Sequence, residues 1–186
     1  MEKKIIVAII AVLLVAAAGV YGYIKFVPSE DEIYSEQMNI VLNDMKVIKS
    51  NLNTINSSNS TNTSKISTKI DNTSETIDDA IEVLNDLDKS ITNSTRKEYI
   101  SLCNNDLKQT KTLINAKKDA IIIINDVNEE KMTLNEALSK MADLNKKINR
   151  TETKINSIEQ EIKDYESKYS FVLVDGKSII PKKSKK

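Results

Sequence analysis

The Asn-x-Ser/Thr tripeptide recurs in this chain, at Asn56, Asn59, Asn62, Asn72, Asn93 and Asn149. The chemistry it permits is transfer of an oligosaccharide to the asparagine amide, on an exposed segment outside the cytoplasm. Asn56, Asn59 and Asn62 fall in an Asn/Ser/Thr-rich stretch, and Asn93 falls in a polar break where a glycan has room. Asn72 stands at an alternative helix start, Asn72-x-x-Glu75; these five are the candidate acceptors. Asn149 directly follows the core position Ile148 and is a poorer one. A chain so rich in Asn, Ser and Thr also generates the tripeptide by chance, and modification depends on a host with the machinery.

Other chemistries lack their residues. There is no histidine, so the commonest general base and metal ligand is missing. No glycine lies between Gly22 and Gly176, which excludes a glycine-rich phosphate loop from the intervening chain. Zinc would need clustered Cys or His, and Cys103 is alone. With one cysteine no intrachain disulfide can form; Cys103 falls on the apolar side of a predicted helix with Ile100 and Leu107 and reads as a small buried hydrophobe. Carboxylates such as Asp78, Asp79 and Glu82 read as a solvated helix face. The expectation is a non-enzyme without cofactor or metal.

The element that would place all of this is residues 5–24, an apolar run with no charged side chain. About 20 apolar residues at about 1.5 Å each cross a bilayer core. Tyr21 and Tyr23 mark the downstream interface; Lys3 and Lys4 precede the run, and Glu30, Asp31 and Glu32 follow it. The positive-inside rule puts residues 1–4 in the cytoplasm and the chain beyond outside. Residues 5–27 are therefore expected to be a signal-anchor, giving a single-pass protein of the cell membrane. The rival is a cleaved signal peptide with its site at residues 16–18, but the apolar run continues past that site.

Between Pro28 and Gly176 there is neither glycine nor proline, so the chain is expected to form helices joined by Asn/Ser/Thr loops. Ser29-x-x-Glu32 is a capping box, followed by Ile33, Ile40, Val41, Met45, Ile48, Leu52 and Ile55. After a break at 56–64 a second helix runs over 65–92. Asn93-Ser94-Thr95 interrupts it, and Thr95-x-x-Glu98 offers a capping box for a third helix carrying Ile100, Cys103, Leu107, Thr110, Ile114, Ile121 and Ile124. The block 121–124, four isoleucines, points in every direction and is expected to be buried against more than one neighbour. Thr133-x-x-Glu136 opens the last helix, whose stripe is Leu138, Met141, Leu144, Ile148, Thr151, Ile155, Ile158, Ile162, Tyr165 and Tyr169. Residues 171–180 read as a small β-hairpin around Asp175-Gly176, and 181–186 as a basic tail suited to anionic lipid or wall polymer.

The fold class is thus all-α: an N-terminal transmembrane helix, then long amphipathic helices over 29–170 as a coiled coil or helical bundle, then the hairpin. The helix over 134–169 could pair between two copies; breaks near 56–64, 93–95 and 128–132 favour folding back within one chain. Residues 29–174 hold 19 Lys/Arg against 25 Asp/Glu, which argues against nucleic acid as a partner. The expected role is structural or protein-interacting at the cell envelope. The alternative is a ligand-sensing helical ectodomain that works with a separate transmembrane partner.

Overall fold

The computed structural model describes residues 28–57 and 63–180. The expected membrane span at 5–27, the basic tail at 181–186 and the candidate acceptors Asn59 and Asn62 lie outside the described residues. Among the described residues, no helix is long and apolar enough to cross a membrane.

Four helices, α1 (Glu30–Ser57), α2 (Thr63–Ser90), α3 (Ser94–Asn128) and α4 (Leu134–Lys168), fold back on one another as an antiparallel bundle. Their direction follows from cross-helix pairs. Glu30, at the start of α1, accepts from Thr92 N at 3.1 Å and Asn93 N at 3.2 Å, just past the end of α2. Asp78 meets Lys111, Asn85 meets Asn104 and Asp71 meets Lys118, so residue numbers rise along α2 as they fall along α3. Glu152 faces Lys117 while Glu166 faces Tyr99, which sets α4 against α3 in the same way.

Each helix buries one face. Tyr34, Met38, Val41, Met45 and Ile48 from α1 meet Ile70, Ile77, Leu84 and Leu87 from α2, with Ile100, Cys103, Leu107 and Ile114 from α3. Burying each large apolar side chain contributes roughly 1.5–3 kcal/mol, and this stripe-on-stripe contact is what selects the bundle.

The helix ends are fixed locally. Both capping boxes expected at Ser29/Glu32 and Thr133/Glu136 form. The one expected at Thr95/Glu98 does not. Asn93 is the N-cap of α3, its side chain accepting from Arg96 N at 3.1 Å, while Thr95 O and Glu98 Oε2 both accept from the Tyr165 hydroxyl. The α3–α4 turn puts Glu130 at φ 59°, with Lys131 N bonded to Asp126 O and Glu130 N to Val127 O. This is a Schellman closure with glutamate where glycine is usual.

The expected β-hairpin is not formed. Residues Ser170–Val172 make one 3₁₀ turn, and a single bridge, Val174 to Lys177, spans Asp175 (φ 51°) and Gly176 (φ 68°). The tight turn read from Asp-Gly is present, but the flanking residues find better partners than each other. Val172 O accepts from the buried Tyr34 hydroxyl at 2.7 Å, and Ile179 N donates to Glu166. Val172, Val174, Ile179 and Ile180 are buried on the helices. Backbone groups satisfied by helix side chains have no need of a two-stranded ladder, which alone is marginal in water.

The isoleucine block is helical but not enclosed. Ile121 is buried, yet Ile122 is 47% and Ile124 43% exposed. Four consecutive residues spread around the whole helix, and α3 buries only part of its circumference, so part of the block stays exposed.

Candidate functional site

The bundle is closed on three sides and open on the fourth. Consecutive helices pack closely, but no Cα of α1 comes within 8 Å of a Cα of α4. Side chains still join the two: Ile158 and Ile162 belong to the same apolar core as the α1 face, Tyr34 reaches the turn after α4, and Lys49 Nζ lies 3.6 Å from Glu159. Between them a cavity of about 350 Å³ opens, within the range of small-molecule sites. Its apolar surface comes from Met45, Ile48 and Leu52 of α1, Leu113 of α3 and Ile155 of α4.

Asp106 of α3 lines this groove with only 2% of its surface exposed. Among the other buried polar side chains, three have hydrogen bonds, whereas Arg96 Nε and Asn104 Oδ1 are buried without a partner. Thr73 and Thr151 donate to carbonyls one turn back in their own helices, and Glu166 accepts from Tyr99 and Ile179. Asp106 Oδ1, by contrast, is buried with no hydrogen-bond partner. Burial, with Glu159 adding to it and Lys49 opposing, pushes the Asp106 carboxyl up to about 7. Burying a carboxylate oxygen without a partner is costly, and a titratable group so placed in a groove is a candidate for a functional site.

A second feature lies at the end of the bundle away from residues 28 and 180. Ile124 (43% exposed), Leu134 (65% exposed) and Leu138 (60% exposed) form an apolar knuckle at the α3–α4 turn. Ile124, Leu134 and Leu138 border a shallow cavity of about 210 Å³ with Ala137 and Met141.

The sequence-predicted sites scatter. Asn56 is exposed in the last turn of α1, beside the groove. Asn72 is exposed but in the middle of α2, followed by buried Thr73, and so is not at a helix start. The amide of Asn93 is engaged as the α3 cap, so a glycan there would compete with that cap. Asn149 is exposed within α4. Cys103 is fully buried beside Tyr99, and burial pushes its thiol well up, away from the reactive thiolate. Asp78 and Asp79 lie on α2, and Asp78 is engaged with Lys111.

Asp106 was not singled out by the sequence reading. The available signal was its register: it lies three residues after Cys103 and four before Thr110, within the apolar arc of α3. Comparison of the chain with protein-family models, with curated proteins and with solved structures finds no match.

Proposed function

We propose that the chain is a membrane-tethered, extracytoplasmic helical bundle with a structural or protein-interaction role at the cell envelope. The observation that carries this reading is the apolar knuckle at the end of the bundle opposite residues 28 and 180. Tyr34 and Val172 bring the start of α1 and the C-terminal turn together at one end. The described residues nearest in sequence to the apolar run at 5–24 and to the basic tail with Lys182, Lys183, Lys185 and Lys186 therefore share that end. In this reading the bundle stands on the bilayer by its base, with the tail beside anionic headgroups. A helix of 28 residues carries the knuckle roughly 40 Å outward. An exposed apolar cluster placed there suits contact with another envelope protein. Self-association through residues 134–169 belongs to the same reading, because Met141, Ile148 and Ile155 of α4 stay half-buried.

The test combines topology with contact in intact cells. External protease should remove the C-terminus, and a photo-crosslinking residue at position 138 should give a discrete adduct that Ile124→Glu abolishes. A protected C-terminus, or an adduct indifferent to Ile124→Glu, refutes the reading. The alternative, a ligand-sensing ectodomain acting with a separate transmembrane partner, is favoured by one observation: the buried, unpartnered Asp106 in the α1–α4 groove.

A further inference from the structure

We propose that the groove between α1 and α4 binds a primary ammonium carried on a short apolar body, with Asp106 as its counter-ion. This deepens the ligand-binding alternative above and rests on it.

The lining selects that chemistry. Three carboxylates line the cavity: Glu159 pairs with Lys49 and Lys163, Glu152 pairs with Lys117, and among the described residues Asp106 is the one of the three in no ion pair. An anion would meet that unpaired carboxylate. A wholly apolar guest would cover Ile48, Leu52, Leu113 and Ile155 but leave Asp106 Oδ1 without a donor. Among the described residues, no group of three acidic or cysteine side chains converges tightly enough to hold a metal ion. An alkylammonium satisfies both halves: its methylenes cover the apolar wall, and its N–H groups supply the donors that a buried carboxylate needs. Lys49 shows the groove's tolerance for this group, since its own ammonium lies 3.6 Å from Glu159 at the mouth.

The charged groups facing Asp106 come from α1 (Lys49) and from α4 (Glu152 and Glu159, with Lys117 of α3 pairing Glu152 and Lys163 of α4 pairing Glu159); α2 contributes no lining residue. Binding of the cation requires Asp106 ionised, so a neutral Asp106 must first release its proton to solvent. Affinity therefore rises with pH until Asp106 is ionised in the empty groove. With that carboxyl near 7, the gain from pH 5.5 to pH 8 is about thirtyfold.

The experiment uses the full chain in zwitterionic nanodiscs with ¹³C-methyl methionine. Met45 lines the groove, and Met38, buried in the core, reports the fold. Hexylammonium should shift the Met45 methyl saturably and bind at least tenfold more tightly than 1-hexanol. Its affinity should climb with pH as above, and Asp106→Asn should bring it down to the hexanol level with the Met38 signal unmoved. Equal binding of the two ligands by the unaltered chain, or an affinity flat in pH, overturns the ammonium assignment while leaving the groove a ligand site. No movement of Met45 with either ligand overturns both.

Discussion

Asp106→Asn tests the central electrostatic claim without any ligand. In the folded chain Asp106 is buried and its carboxyl is raised from the ordinary 3.8 to about 7. The folded state therefore holds a proton that the unfolded state has released between those two values. Stability is greatest below the unfolded value, falls as pH rises through this window, and levels off above about 7. A shift of about three units at about 1.4 kcal/mol each sets an upper bound of roughly 4 kcal/mol lost between pH 4 and pH 8. Asparagine has nearly the same shape and no charge, so that loss disappears. It still leaves a buried amide to be satisfied, at about 1–3 kcal/mol, and the comparison that matters is therefore between two pH values, where this constant cancels. Relative to the unaltered chain, the variant should gain stability between pH 4.5 and pH 8, by several degrees in melting temperature at about 2–4 °C per kcal/mol. Far-UV circular dichroism melts of the full chain in detergent, at both pH values, read this out. If the gap between variant and unaltered chain is the same at pH 4.5 and pH 8, Asp106 is not the buried, titrating carboxyl argued here, and the groove is ordinary surface.

Three further outcomes follow from the packing. Ile114→Ala removes a fully buried side chain of α3 and should cost about 2–5 kcal/mol in urea unfolding; a loss under 1 kcal/mol would mean that the α3 face is not packed as described. Tyr34→Phe leaves Val172 O without its buried donor and should cost about 1–3 kcal/mol, with faster tryptic cleavage at Lys177 as the C-terminal turn loosens. Unchanged cleavage would show that the turn is held by other contacts. Glu130→Gly relieves a left-handed non-glycine residue and should stabilise the chain by up to roughly 1 kcal/mol, whereas a destabilised variant would contradict the Schellman turn.

Local signals were legible where a few neighbouring residues decide the outcome. The absence of Gly and Pro over 29–175 gave helices, and Ser29-x-x-Glu32 and Thr133-x-x-Glu136 placed two of their starts within a residue of where they occur. The Thr95-x-x-Glu98 box failed because a tertiary partner outbid the local one: the Tyr165 hydroxyl, from the last helix, takes Glu98 and Thr95 O. The hairpin failed for the same reason, since Tyr34 and Glu166 supply hydrogen bonds from far away in sequence. The exposure of Ile122, Ile124 and Leu138 was illegible, because periodicity shows which side of a helix is apolar but not how much of its circumference other helices cover. Asp106 was legible in position but not in consequence. Its place on the apolar arc of α3 could be read off, while the lack of a partner for Oδ1 depends on how far α4 stands from α1.

That separation has its own cause in the pattern of α4. Over most of its length the buried positions are Ala137, Leu144, Thr151 and Ile158, one every seventh residue. A line so narrow can rest on one neighbour, and α3 takes it; covering α1 as well needs an apolar arc of about 100°. The arc widens only near the base, where Ile162 and Glu166 are buried and Tyr165 stacks 6.2 Å from Tyr99. There the C-terminal turn also wedges in, through Val172, Val174 and Ile179. The bundle is therefore tied shut at the end that would face the tether and left apart farther out. Asp106 sits beyond the tied end, on the helix that both sides of the gap share. A buried carboxyl at 106 costs stability that an apolar residue there would not.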